Sequence, residues 1–147
     1  MDRIKVKIIN NSGFELPTYE TFSSAGMDVR AALKEPVTLQ PLERTLVPTG
    51  LRVQLEHGYE MQLRPRSGLP LRHGITLANT PGTVDADYRG EIGIILINLS
   101  NEPFTINPGE RICQMVVTKY SRVEWEPVSR IDETERGEGG FGHTGLQ

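Results

Sequence analysis

The chain has 147 residues, with 16 Lys and Arg against 19 Asp and Glu and a formal net charge of −3. That length suits one domain with a sizeable core, and a weakly acidic chain with scattered basic residues lacks the field that gathers long nucleic acid. A lone cysteine, Cys113, excludes an internal disulfide, and no apolar run approaches the length of a membrane span.

The N-terminus, Met1 to Val6, has neither the apolar stretch of a signal peptide nor the Arg- and Ser-rich character of a transit peptide. A cytoplasmic protein is the expectation. Lys5 to Ile8 alternates polar and apolar residues, as a half-buried strand does. Arg44 to Val47, Leu51 to Leu55 and Glu60 to Leu63 are similar short pieces, separated by the turn signals Pro48-Thr49-Gly50 and His57-Gly58. One or two helical turns are expected from Arg66 to about His73, limited by Pro70. Ile92 to Ile97 is apolar apart from Gly93 and rich in β-branched residues, which predicts a central strand. Arg111 to Thr118 puts apolar residues on both faces and predicts a strand largely buried on each side. Fifteen glycines and ten prolines punctuate these segments, and none carries a long period of 3.6. The pattern is that of an all-β sandwich, jelly roll or small barrel.

Five segments carry residues suited to chemistry. In Ala25-Gly26-Met27-Asp28-Val29-Arg30, Asp28 offers a carboxylate to a metal through water. In Pro65-Arg66-Ser67-Gly68-Leu69, a strand gives way to a helical turn, and an Arg, a hydroxyl and backbone amides there make a phosphate cradle. The same five residues also read as a capping serine beside a surface arginine. Asn79 to Gly90 reads NTPGTVDADYRG, with Asp85 and Asp87 two apart and on one face if the segment is extended. A carboxylate held there orients and deprotonates a water, although turn aspartates are common. Pro108 to Gln114 reads PGERICQ and looks like a turn leading into a strand. Arg136 to Gly145 reads RGEGGFGHTG, half of it glycine. It matches the dinucleotide fingerprint by letter and fails it by context, since no strand precedes it closely and no helix follows. It reads as a flexible tail, or as a segment that orders against a ligand through Arg136, Phe141, His143 and Thr144.

Taken together, SAGMDVRA, RPRSGL, NTPGTVDADYRGEI, PGERICQM and RGEGGFGHTG resemble the five motifs of the trimeric dUTP diphosphatases, over residues 15 to 145. The resemblance implies a jelly-roll-like β barrel over residues 1–130 and a flexible C-terminal arm over 131–147. It also implies a homotrimer with active sites at subunit contacts, and Mg²⁺-dependent hydrolysis of dUTP to dUMP and diphosphate. Such an activity limits uracil incorporation into DNA and supplies dUMP for thymidylate synthesis. Asp85 matches the aspartate that activates the attacking water. Tyr88 matches the tyrosine against the deoxyribose. A β-hairpin from Asn79 to about Tyr88, including Gly82, Thr83 and Val84, matches the receptor for uracil. Arg66, Ser67, Gly68 and Gln114 match phosphate contacts, and Asp28 the residue near Mg²⁺, acting through water. Arg136, Phe141, Gly142 and Thr144 match the tail motif, whose ring stacks over uracil. Met27, Cys113 and His143 depart from the commonest family residues and are given no role, and His57 and His73 read as surface or turn residues. A related deaminase of dCTP carries a glutamate where Ile95 stands here, and an isoleucine transfers no protons. Neither nucleic acid nor membrane is expected as a partner.

Overall fold

A computed structural model describes all 147 residues. It contains eleven strands and one short helix: β1 (Lys7–Asn10), β2 (Met27–Arg30), β3 (Val37–Leu39), β4 (Arg44–Pro48), β5 (Leu51–Gln54), β6 (Tyr59–Arg64), α1 (Gly68–His73), β7 (Ile75–Leu77), β8 (Gly82–Val84), β9 (Gly93–Asn98), β10 (Phe104–Ile106) and β11 (Arg111–Lys119). They form four sheets, ordered β2-β11-β6-β8, β4-β9-β7, β1-β5 and β10-β3, and every pairing is antiparallel. The sheets wrap a single core of 19 residues into a jelly-roll-like β barrel. The expected all-β class therefore holds. No helix is long and apolar enough to cross a membrane.

Period-two patterning explains the layers. In β9, Ile94, Leu96 and Asn98 are buried while Gly93, Ile95 and Ile97 are half-buried, and β9 is the central strand of its sheet as expected. β11 buries residues on both faces, Ile112 and Cys113, then Met115 and Val116. A register shift between Arg111 and Cys113 lets neighbours in sequence both face inward.

Two expectations shift. The N-terminal strand forms over Lys7–Asn10 rather than from Lys5, and all four of its residues are exposed. It pairs only with β5, so alternation alone does not bury it. The helix starts at Gly68, two residues late. Ser67 stands at the cap position with helical dihedrals and no side-chain cap bond, so the capping reading of this serine fails. Gly74, at φ 68°, stops the helix in the left-handed conformation.

Asn98 closes the core on its polar side. Its Nδ2 donates to Leu39 O at 3.0 Å and Glu102 O at 2.8 Å, and its Oδ1 accepts from the amide and the hydroxyl of Ser100 at 2.9 and 2.7 Å. A buried amide is tolerated there because its bonds are all made.

Candidate active site

Three of the five motifs meet at one edge of the four-stranded sheet. β11 lies between β2 and β6, so Gln114 is in register with Asp28 on one side and Arg64 on the other. β6 then runs into Pro65 and Arg66, which returns its guanidinium over β2. Arg66 Nε lies 3.2 Å from Asp28 Oδ1, and Arg111 Nη1 lies 3.6 Å from Asp28 Oδ2 and 3.4 Å from Glu20 Oε1. Arg66 also donates to the Arg111 carbonyl at 3.2 Å, and Gln114 Nε2 to the Pro65 carbonyl at 3.1 Å. One carboxylate thus orients two guanidiniums whose remaining donors stay free, an arrangement suited to oxyanions. Ser67 is exposed beside it, and Gly68 begins the helix.

Nothing in the sequence joins the second-motif arginine to the first-motif aspartate. Nor does the sequence single out Arg111 or Gly26. A Cβ on Gly26 would run into Gln114 Oε1, with Cδ at 3.3 Å. That glycine gives the amide side chain room to lie across β2. A small residue opposite a polar strand position was the only signal.

Asp28 also bears on Cys113. Burial pushes the Cys113 thiol up to about 12, and the Asp28 charge adds to the rise. The side chain is a neutral, inert part of the core.

The third motif lies at the opposite edge. β8 pairs with β6 at Val84–Met61, Thr83–Gln62 and Gly82–Leu63, whereas β7 pairs with β9. The expected hairpin from Asn79 to Tyr88 therefore has no internal ladder. Only one strand of it, β8, is formed, and β7, which precedes it and belongs to a different sheet, leads into it through Asn79, Thr80 and Pro81. Gly82 is buried and Thr83 is exposed, while Val84 packs into the core. Beyond Val84 the chain turns at once, with the Tyr88 amide donating to the Asp85 carbonyl at 3.1 Å. Asp85 hence opens a turn and Asp87 lies within it, so the two do not share the face of a strand. Both still line one open cleft, together with His57, Glu60, Thr83, Ala86, Tyr120, Ser121 and Arg122. Asp85 is exposed and belongs to none of the four ion pairs. Tyr88 is 45% exposed, and its hydroxyl donates to Glu91 O at 2.9 Å.

β2 and β8 are the two outer strands of a four-stranded sheet. Three strand spacings separate them, about 14 Å, and Val84 pairs with Met61 near the start of β6, whereas Arg64, in register with Gln114, and Arg66 stand at and beyond its end. Within one chain, Asp85 and the Asp28–Arg66–Gln114 group do not form one site.

The fifth motif joins neither cluster. Every residue from Ser121 to Gln147 is exposed except Gly139. Arg136 Nε donates to Gly139 O at 2.6 Å, and Phe141 is fully exposed at φ 48°. Gly142 and Thr144 lie in the same exposed turns.

No group of three or more His, Cys, Asp or Glu side chains could cage a metal. Asp28, with both oxygens already facing arginines, suits contact through water. This donor set fits a Mg²⁺ that keeps its waters and is carried by phosphates.

Comparison with known proteins identifies the family. A family model described as dUTPase matches residues 4–145. The deoxyuridine 5′-triphosphate nucleotidohydrolase of Fusobacterium nucleatum is 61% identical over 145 residues, covering 99% of each chain. That of Finegoldia magna is 58% identical over 142 residues, covering 97% of this chain and 99% of its own. Among solved structures, the Staphylococcus bacteriophage 80alpha dUTPase with dUPNHPP superposes with a TM-score of 0.85 at 25% identity, covering 97% of this chain and 99% of that one. A phage phi11 dUTPase variant, described with a structural Mg(II) ion, shares the fold at a TM-score of 0.78 and 21% identity, over 88% of this chain and all of that one. A match from residue 4 to residue 145, and identities this high to nucleotidohydrolases of equal length, mean that this chain belongs to the dUTPase family.

Proposed function

We infer that this chain hydrolyses dUTP to dUMP and diphosphate, limiting uracil incorporation into DNA and supplying dUMP for thymidylate synthesis. Family membership over nearly the whole chain is the observation that carries the reading. In the proposed reaction water attacks the α-phosphorus, and Asp85, exposed and unpaired, takes its proton. Arg66, Ser67, Gly68 and Gln114 hold the phosphate oxygens, with Asp28 fixing the Arg66 guanidinium. Asp28 would hold Mg²⁺ through water, and the ion would supply charge neutralisation to the phosphates. Asn79, Gly82, Thr83 and Val84 supply the main chain that receives uracil, and Tyr88 lies against the deoxyribose, where a 2′-hydroxyl has no room.

The working enzyme is proposed to be a homotrimer in the cytoplasm. The separation of Asp85 from Asp28, Arg66 and Gln114 within one chain supports it, since a neighbour that brings the two edges together completes the site. Exposed Val123, Trp125, Val128 and Ile131 support it too. Residues 1–130 form the catalytic core and residues 131–147 a flexible arm, whose Arg136, Phe141, Gly142 and Thr144 close over uracil and phosphates and exclude water.

The test measures diphosphate release from dUTP, dCTP, dTTP and UTP, with ammonia release from dCTP followed in parallel. Diphosphate from dUTP alone supports the reading. Ammonia from dCTP points to the deaminase, which the apolar, half-buried Ile95 disfavours. No turnover of any substrate points to a binding module.

A further inference from the structure

Gly90 lies two residues beyond Tyr88, and the two are in close contact. A Cβ on Gly90 would run into Tyr88 Oη, with the ring atoms Cζ at 2.6 Å and Cε1 at 2.9 Å. Three atoms of a rigid ring crowd one point, so no small rotation of a side-chain tip relieves them. The ring is tethered there as well, because its hydroxyl donates to the Glu91 carbonyl at 2.9 Å.

Glycine is usually required where the backbone is left-handed or where another backbone comes close. Neither holds at this position. Gly90 is not among the residues with positive φ, and the atoms nearest its missing Cβ are all from the Tyr88 side chain. An alanine would satisfy the backbone. It is the tyrosine ring that excludes it.

We propose that Gly90 is a positioning residue for substrate selection: its bare Cα seats the Tyr88 ring, and that seat sets how firmly a 2′-hydroxyl is refused. The proposal rests on the reading of Tyr88 as the neighbour of the deoxyribose. Adding one methyl at Gly90 displaces the ring from this seat without removing it. Selection between a sugar with and without a hydroxyl depends on small distances in a close-fitting pocket, so the displaced ring discriminates less well.

The experiment compares kcat/KM for dUTP and for UTP in wild type, Gly90→Ala, Tyr88→Ala and the double variant. Gly90→Ala is expected to lower the dUTP:UTP ratio by about tenfold, the effect of one misplaced group in a pocket. In the Tyr88→Ala background the same methyl is expected to change the ratio no further, because the ring it acts through is gone. A merely structural role would lower both specificity constants together and leave the ratio alone. A ratio unchanged by Gly90→Ala but changed by Tyr88→Ala overturns the proposal and leaves the reading of Tyr88 in place. A ratio unchanged by Tyr88→Ala overturns both. If Gly90→Ala alone does not assemble, the double variant should, since the obstructing ring has been removed, and a double variant that also fails overturns the seat.

Discussion

The two edges of the β2-β11-β6-β8 sheet are built in opposite ways. At the β2 edge, charges are paired before any ligand arrives: Asp28 faces both Arg66 and Arg111, and Arg111 also faces Glu20. At the β8 edge, Asp85 sits just past the last paired residue of its strand with no ion partner. A group that holds an anion gains from being fixed in advance, because little ordering remains to be done on binding. A group that must orient a water and take its proton gains from the reverse, since its oxygens are left free to meet that water. The difference fits a division of labour between holding phosphate and activating water.

The largest test of that division is Asp85→Asn. It should lower kcat about 10³-fold with dUTP binding kept, as loss of a general base does. Near-normal turnover would remove the β8 edge from the chemistry. The same pair of edges allows a complementation test. Asp85→Ala chains and Arg66→Ala chains, co-refolded in equal amounts, should recover roughly one quarter of wild-type activity if each site takes one edge from each of two subunits, the product of two one-half chances. Mixed trimers, verified by native mass spectrometry, that stay inactive would mean the edges act within one chain.

A smaller effect is expected from Asp28→Asn. Arg66 and Arg111 would lose their shared anchor while keeping their charge. The expected result is a fall of about tenfold in kcat/KM for dUTP, of the order of one charged hydrogen bond, with little change in melting temperature, because partly exposed pairs contribute little to stability. A large drop in melting temperature with unchanged kinetics would make Asp28 a structural residue.

Cys113 gives the smallest effect and concerns the floor beneath the β2 edge. Its thiol stands at about 12 in the folded chain against 9.0 for an ordinary thiol. Because the folded value is the raised one, the stabilisation is fully present below 9 and is lost as the pH climbs from 9 toward 12, where only the unfolded chain releases the proton. Relative to Cys113→Ala, the wild type should lose about 1 kcal/mol over the first pH unit above 9. Parallel stability curves for the two proteins in urea would refute this.

Sequence patterning was sufficient for much of the barrel. The alternation in Leu51 to Leu55 and the doubly apolar run in Arg111 to Thr118 predicted strands that form, with the expected burial, over Leu51–Gln54 and Arg111–Lys119. What it did not yield were partners. Alternation fixes which face a residue takes, whereas pairing depends on contacts far along the chain. The pairing of β8 with β6, the meeting of Asp28 with Arg66 and the four bonds of Asn98 are all of that kind. The exposure of β1 also escaped prediction, because Ile8 and Ile9 look like core residues until the single chain is folded without anything to cover them. The five motifs were legible as chemistry and the fifth as a tail, whereas the division of the other four between two edges was not.

The chain's one tryptophan, Trp125, lies outside the barrel, beyond the end of β11, and is 84% exposed. Indole emission therefore reports on the C-terminal segment alone. In an isolated chain it should be red-shifted and open to collisional quenchers whether or not the barrel is folded. Denaturation of the core is to be followed by circular dichroism instead, which leaves the indole signal as a built-in optical probe of whatever later covers that segment.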